Sequence, residues 1–311
     1  MITRKRNLLL CSLLVASAAV LSPAAVSAQE ADQAESDPTE VAPVTIEGQR
    51  LADQVRDFVG EVAEAPRGRQ LARWDGTVCV GAVNMDARYG QFMIDRVVQT
   101  ALSVGIESGE PGCRPDVLII ATGDGDRLAR ELVDDSPFGF RPARGGTDFG
   151  SAALRRFQSS GAPVRWWHVS MPVSVDTGDV AVQLDGEDPP SLRVRGASRL
   201  ASNVRDDLKR VVIILDVSQI GVIPFGALSD YVAMAALAQI DPEADTTGYP
   251  TVLNLFVDRE AGVEAPAALT DWDRDYLRGL YAAQEGRARV TQQERAIAGE
   301  ILNGSAPVDP E

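Results

Sequence analysis

The sequence predicts an α/β (α+β) domain: a mixed sheet of about four to six strands, packed helices and a helical C-terminal third. Three observations point there. The runs Val117-Leu118-Ile119-Ile120-Ala121 and Val211-Val212-Ile213-Ile214-Leu215 are short and wholly apolar, the signature of strands covered on both faces. Segments with apolar residues at helical spacing alternate with such runs. From Leu228 onward only helical patterns remain.

The elements follow in chain order. From 51 to 63, Val55, Phe58, Val59 and Val62 recur at helical intervals. Val78 to Val83 reads as a strand, and 89 to 104 repeats Phe92, Ile94, Val97, Val98, Ala101 and Leu102 on a helix. Pro115 and Gly123 bound the 117–121 strand, and helices are expected at 126–133 and 152–157 around a Gly/Pro-rich loop at 136–146. In Val164-Arg165-Trp166-Trp167-His168-Val169-Ser170 a period of two puts Val164, Trp166 and His168 on one face and Arg165, Trp167 and Val169 on the other, so this stretch is a strand. Turns at 176–178 and 185–186 delimit two short strand candidates, 180–184 and 192–194. The 211–215 run is the most apolar and is expected to be central. Helix 228–240 is apolar or small all round and therefore buried. Thr270 with Asp273 and Thr291 with Glu294 fit the [ST]-x-x-[DE] capping pattern, opening helices at 271–282 and 292–302.

The first 28 residues read as an export signal: Arg4, Lys5 and Arg6 precede an apolar run from Leu8 to Leu21, and Val26-Ser27-Ala28 supplies the cleavage pattern. A span needs about 20 apolar residues, so stable membrane insertion of the mature chain is not expected. The expected organisation is signal peptide 1–28, disordered acidic leader 29–50, one globular domain 51–302 and flexible tail 303–311, in a periplasmic or secreted protein. Export leaves Cys79 and Cys113 as the cysteines of an oxidising compartment, which predicts one disulfide over the rival reading of two metal ligands without partners. The full chain carries −15; the signal removes three cations and no acid, leaving −18, a field that repels nucleic acid and anionic lipid. The sequence sets no oligomeric state.

Catalytic chemistry finds few candidates. His168 is the only histidine, so a Ser-His-Asp mechanism would depend on it, and there is no G-x-S-x-G elbow. The competing reading is a histidine packed between tryptophans. Asp216 and Asp230 are the carboxylates offered beside it for a hydrolase of unrecognised type, with Asp241 also available. Zinc would want about three His, Cys or carboxylate ligands, and no cofactor is indicated. Asp241, Glu243 and Asp245 have the alternate spacing of a calcium loop, but lack its glycine and bidentate glutamate. Asp216-Val217-Ser218-Gln219-Ile220 has Ile220 where the D-x-S-x-S metal motif has serine, and Gly123-Asp124-Gly125-Asp126 carries two carboxylates where a phosphate loop has none.

Val44-Thr45-Ile46-Glu47-Gly48-Gln49-Arg50 resembles the V-T-x-x-G-x-R stretch near the mature N-terminus of exported bacterial proteins, TonB-dependent receptors among them; the competing reading is a linker ending in an edge strand. Arg165-Trp166-Trp167-His168-Val169-Ser170, Arg205-Asp206-Asp207-Leu208, the run from Leu228 to Pro242 and Leu269-Thr270-Asp271-Trp272-Asp273 resemble an uncharacterised family of exported bacterial proteins. That likeness implies export and fold. The order of central strand, buried helix, Thr251–Phe256 and Leu269–Tyr281 also resembles zincin-type metalloprotease-like domains, whose buried helix carries H-E-x-x-H. Here that helix offers Asp230, Tyr231 and Met234 instead, so the resemblance implies a pseudoenzyme. The expectation is a non-catalytic binding or structural domain whose partner is an envelope protein or other envelope component, the alternatives being a hydrolase of unrecognised type using His168 with Asp residues and a calcium-stabilised module.

Overall fold

The computed structural model describes residues 42–143, 147–184, 186–187, 202–283 and 289–305. Helix α1 (Ala42–Val62) begins at Ala42 instead of Leu51, so residues 42–50 are helical and form no edge strand. Pro43 falls in its first turn, where a missing N–H costs no helical bond. Val55, Phe58, Val59 and Val62 are fully buried, and the Phe58 ring meets Tyr249, Trp272 and Tyr276 at centroid distances of 5.4, 5.3 and 6.2 Å.

The predicted 78–83 strand is two strands, β1 (Thr77–Val78) and β2 (Val80–Val83), because Cys79 turns its carbonyl to the amides of Asp116 and Val117. Helix α2 (Ala87–Ser103) follows, capped by Asp86, then β3 (Glu107–Ser108), which pairs in parallel with β1. Next come β4 (Val117–Thr122), α3 (Gly125–Asp135), the short α4 (Pro137–Phe140) and α5 (Gly150–Ser159). Strands β5 (Val164–Ser174) and β6 (Val204–Asp216) are the longest, and α6 (Val217–Ile220) leads to α7 (Phe225–Leu237). Of the two strand candidates between β5 and β6, Val180 makes a single bridge to Val173, and 192–194 lies outside the described residues.

The main sheet is mixed, in the order β2-β4-β6-β5. Strands β2, β4 and β6 run parallel, and β5 is antiparallel to β6 at the edge. The most apolar strand is therefore internal, with Ile213 between Ile119 and Trp166. Ile119, Ile213, Val164 and Trp166 join α2 and α7 in one core; Ile120, Ile214, Trp167 and Val169 join α3 and α5 in the other. Period two in the strands makes this division, since neighbouring side chains point to opposite faces. A bulge at Val169/Ser170 slips the register: Val169 opposes Arg210 and Ser170 opposes Leu208, leaving Lys209 as the extra residue.

Helix α7 is buried from Ala227 through Leu237. Ahead of the C-terminal pair, a 3-10 turn (Val252–Asn254) leads into α8 (Leu255–Glu260). Helix α9 (Asp271–Ala282) has the predicted capping box, with Asp273 N donating to Thr270 Oγ1 at 3.2 Å and Thr270 N to Asp273 Oδ2 at 2.8 Å. Helix α10 (Val290–Gly304) starts earlier than predicted and has no side-chain cap, so Thr291 lies inside it. Val290 packs on the core, which draws the helix start back. The helix also runs past 302, so Asn303 and Gly304 are not tail. Gly279 is where α9 crosses α10; a Cβ there would stand 2.6 Å from the Ile297 Cα.

Cys79 and Cys113 form a disulfide with a Cα–Cα distance of 6.1 Å, tying the β1–β2 junction to the loop before β4. Gly109 makes room for it, since a Cβ there would meet Cys113 Sγ at 2.7 Å. The bridge closes 34 residues. Replacing both cysteines with serine is expected to lower unfolding free energy by about 3 to 4 kcal/mol on the chain-entropy estimate, measured by urea denaturation. An unchanged midpoint would contradict this.

Candidate functional site

Strand β5 is buried along its whole length although it is an edge strand. Its rings explain how. Trp166 Nε1 donates to the Ile240 carbonyl at 3.0 Å, and its ring meets Tyr231 edge-on at 6.0 Å. Trp167 turns the other way, donating to the Phe140 carbonyl at 2.9 Å and packing against Phe157 and Phe149. His168 Nε2 donates to the Ala235 carbonyl of α7 at 2.8 Å, an acceptor that fixes the Nε2–H tautomer. Burial lowers the His168 pKa to about 4, the Ala235 carbonyl partly opposing it.

The predicted catalytic residues do not meet. His168 pairs with Val211, and Asp216 lies five residues further along β6, roughly 16 Å at 3.3 Å per residue. Asp216 caps α6 instead. Burial pushes its pKa up, but bonds from the Ser218 hydroxyl, Gly125 N–H, Gln219 amide and Ser218 N–H outweigh that and hold it below the usual value. Asp230 faces α2, in a two-pronged pair with Arg96, and accepts from Leu269 N at 3.0 Å. Each carboxylate thus has structural partners, and neither is bonded to the imidazole.

The calcium candidates are divided as well. Asp241 Oδ1 accepts from Glu243 N at 2.8 Å, Glu243 pairs with Arg156 at 2.9 Å, and Asp245 accepts from Thr247 N at 3.1 Å. The Thr247 hydroxyl and amide hold Asp245 below its ordinary pKa. No three His, Cys, Asp or Glu gather as a metal-holding group among the described residues.

A cleft of about 420 Å³ runs along the outer edge of β5. Residues 162–168 form its floor without interruption, and no residue of β6 reaches it. Phe149, Ala153 and Phe157 wall it on the α5 side; Tyr231, Leu253 and Phe256 wall it on the other. Glu64, Asp241, Glu243 and Arg156 form the polar part. Antiparallel pairing of Ala63 with Ile240 sets Glu64 beside the 239–241 segment. Burial raises the Glu64 pKa to about 7; Asp241 and Glu243 add to the rise and Arg156 opposes it.

Sequence reasoning found the floor of this cleft and two of its acids, Asp241 and Glu243. It missed Glu64 and Arg156, which carry no motif and reach the cleft from α1's end and from α5. No family model matches the chain, and neither a curated protein nor a solved structure shows significant similarity to it.

Two pH dependences follow, of opposite sign. The depressed pKa of His168 contributes stability that is present above about 6.5 and is lost as pH falls through about 4, on the order of 3 kcal/mol for a fully buried imidazole. His168→Gln should remove that acid-side slope in urea titrations while lowering stability at pH 7; a slope that persists in the variant would refute the assignment. The raised pKa of Glu64 acts the other way: its contribution is full below about 4.5 and is lost as pH rises through about 7. Glu64→Gln should flatten the stability profile between pH 5 and 8, and carboxyl carbon shifts followed by NMR should place its midpoint near 7.

Proposed function

We propose that this chain is a non-catalytic binding domain, exported to the periplasm or beyond, that receives an envelope protein partner in the cleft along β5. The observation that carries this reading is the cleft itself: a mostly apolar concavity along a sheet edge, with a few charged groups among its lining, as ligand sites generally are. Its setting agrees. His168, the chain's only imidazole, is committed to the Ala235 carbonyl, and Asp216 and Asp230 are committed to amides and Arg96, so the His168–carboxylate pair a hydrolase of that kind would use is not assembled. The Cys79–Cys113 bridge suits an oxidising compartment. Among the described residues no helix is long and apolar enough to cross a membrane.

Ala153 is half-buried on the exposed helix α5, so a large side chain there fills the cleft without entering the sheet. In affinity capture from envelope extracts followed by mass spectrometry, Ala153→Trp should lose, by at least about ten-fold (1.4 kcal/mol), a partner that the wild-type protein retains. Circular dichroism and melting temperature should be unchanged. Ala244→Trp, in the 241–246 segment that also lines the cleft, should do the same. Equal capture by both folded variants would refute the cleft as the binding site.

A further inference from the structure

Resting on the reading of this cleft as a binding site, we infer that its ligand is an extended peptide carrying a lysine or arginine, which adds to β5 as a fifth strand of the main sheet. The backbone supplies the first argument. Asp216 N donates to the Pro163 carbonyl at 2.8 Å, so the Pro163/Asp216 pair is hydrogen-bonded. In an antiparallel ladder such pairs alternate, which makes Arg165 and Trp167 the residues bonded to β6. Val164, Trp166 and His168 therefore aim their N–H and C=O groups away from β6, into the cleft, where no neighbour among the described residues bonds to them. Buried backbone groups are otherwise nearly always paired, and an unpaired row of them, buried here at Val164, Trp166 and His168, is a template for another strand.

The open length is sharply limited. From Ser170 onward the same edge is already occupied: Ser170 N donates to the Thr147 carbonyl at 3.2 Å, Ala181 N to the Pro172 carbonyl at 2.7 Å, and Ser174 N to the Asp179 carbonyl at 2.8 Å. The free stretch is 164–168, about 16 Å of strand, enough for about five residues. The walls decide what can enter. The edge is lined on one side by α5 and on the other by the 3-10 turn with α8, walls that a second copy presenting its own β5 would bring with it, whereas a lone peptide strand has none.

Charge supplies the third argument. Arg156 is paired with Glu243 at 2.9 Å and the cleft's other arginine, Arg165, with Asp126 at 2.5 Å, which leaves Asp241 and the partly ionised Glu64 to receive an incoming cation. The chain's own residues 29–41 hold five carboxylates and no cation, the wrong sign for this rim. The net charge of −15 likewise favours encounter with a basic segment.

The test uses fluorescein-labelled acetyl-Val-Val-Lys-Val-Val-amide with lysine moved through all five positions, the matching glutamate peptides, and lysine peptides N-methylated at alternate residues. Anisotropy should show at least one lysine peptide binding ten-fold or more tighter than its glutamate counterpart, with loss of binding on N-methylation in one of the two alternate frames. Amide exchange in the free protein should be fast at Val164, Trp166 and His168 and slow at Arg165 and Trp167. The binding peptide should slow the three fast amides at least ten-fold. Glu64→Gln and Asp241→Asn together should reduce the preference for lysine. Absence of binding by every lysine peptide, or binding that leaves the three amides unprotected, would overturn strand addition. Equal binding of the glutamate peptides would overturn the basic partner. A dimer in sedimentation with those amides already slow would replace the peptide with a second copy of the chain. Each failure is separable from that of the binding reading, which stands or falls on the Ala153→Trp and Ala244→Trp captures.

Discussion

The architecture depends on one strand buried on both faces and tied outward by ring nitrogens. Trp166, Trp167 and His168 are consecutive, so β5 sends them alternately to the two sides of the sheet, and each spends its ring N–H on a main-chain carbonyl of a different segment: Ile240, Phe140 and Ala235. An indole or imidazole N–H buried without an acceptor costs about 1 to 3 kcal/mol, so the three bonds are a condition of burying these rings at all. They locate α7 and the 240 segment on one face and α4 on the other.

A second set of buried amides performs a similar service for the link between α1 and β1. Leu71 exchanges two hydrogen bonds with the Gln293 side chain, Ala72 N donates to Gln239 Oε1 at 2.7 Å, Gln70 N donates to Asp206 Oδ2 at 2.8 Å, and Trp74 Nε1 donates to the Ala236 carbonyl at 2.9 Å. An irregular segment cannot satisfy its own backbone, and burial removes water as the alternative. Side chains from β6, the residues after α7, and α10 supply the partners. The N-terminal helix is thereby fixed to the C-terminal one, and Glu64 keeps its place beside Asp241.

Local physics was legible in the sequence and distant assembly was not. The split of Trp166 from Trp167, the burial of α7 and the Thr270–Asp273 capping box each depend on residues within one element, and each appears as expected. Thr291 and Glu294 have the same spacing as Thr270 and Asp273, yet make no box. What separates them is tertiary: Asp273 is also held by Thr251 Oγ1 at 2.5 Å and Val252 N at 2.8 Å, whereas α10 starts before Thr291 with Val290 packed on the core. At α1, Val44, Thr45 and Ile46 have strand propensity, yet their backbone lies in a helix. The cleft was the least legible feature. Its acids come from residues 64, 241 and 243 and its cation from 156, and no spacing rule relates such positions.

The same reasoning explains why a lone histidine between two tryptophans is a poor base here. A general base needs its imidazole lone pair near a substrate proton and a pKa near working pH. His168 lies on the β5 face that packs on α7, its Nε2–H is directed at Ala235, and burial lowers its affinity for protons. The strand's backbone lies under the opposite constraint. Period two turns the side chains of Val164, Trp166 and His168 into the core while their amides and carbonyls, lying in the plane of the sheet, point out past the edge. What this stretch can offer a ligand is therefore its main chain, and main-chain recognition selects for extended conformation while the rim charges select for side chain.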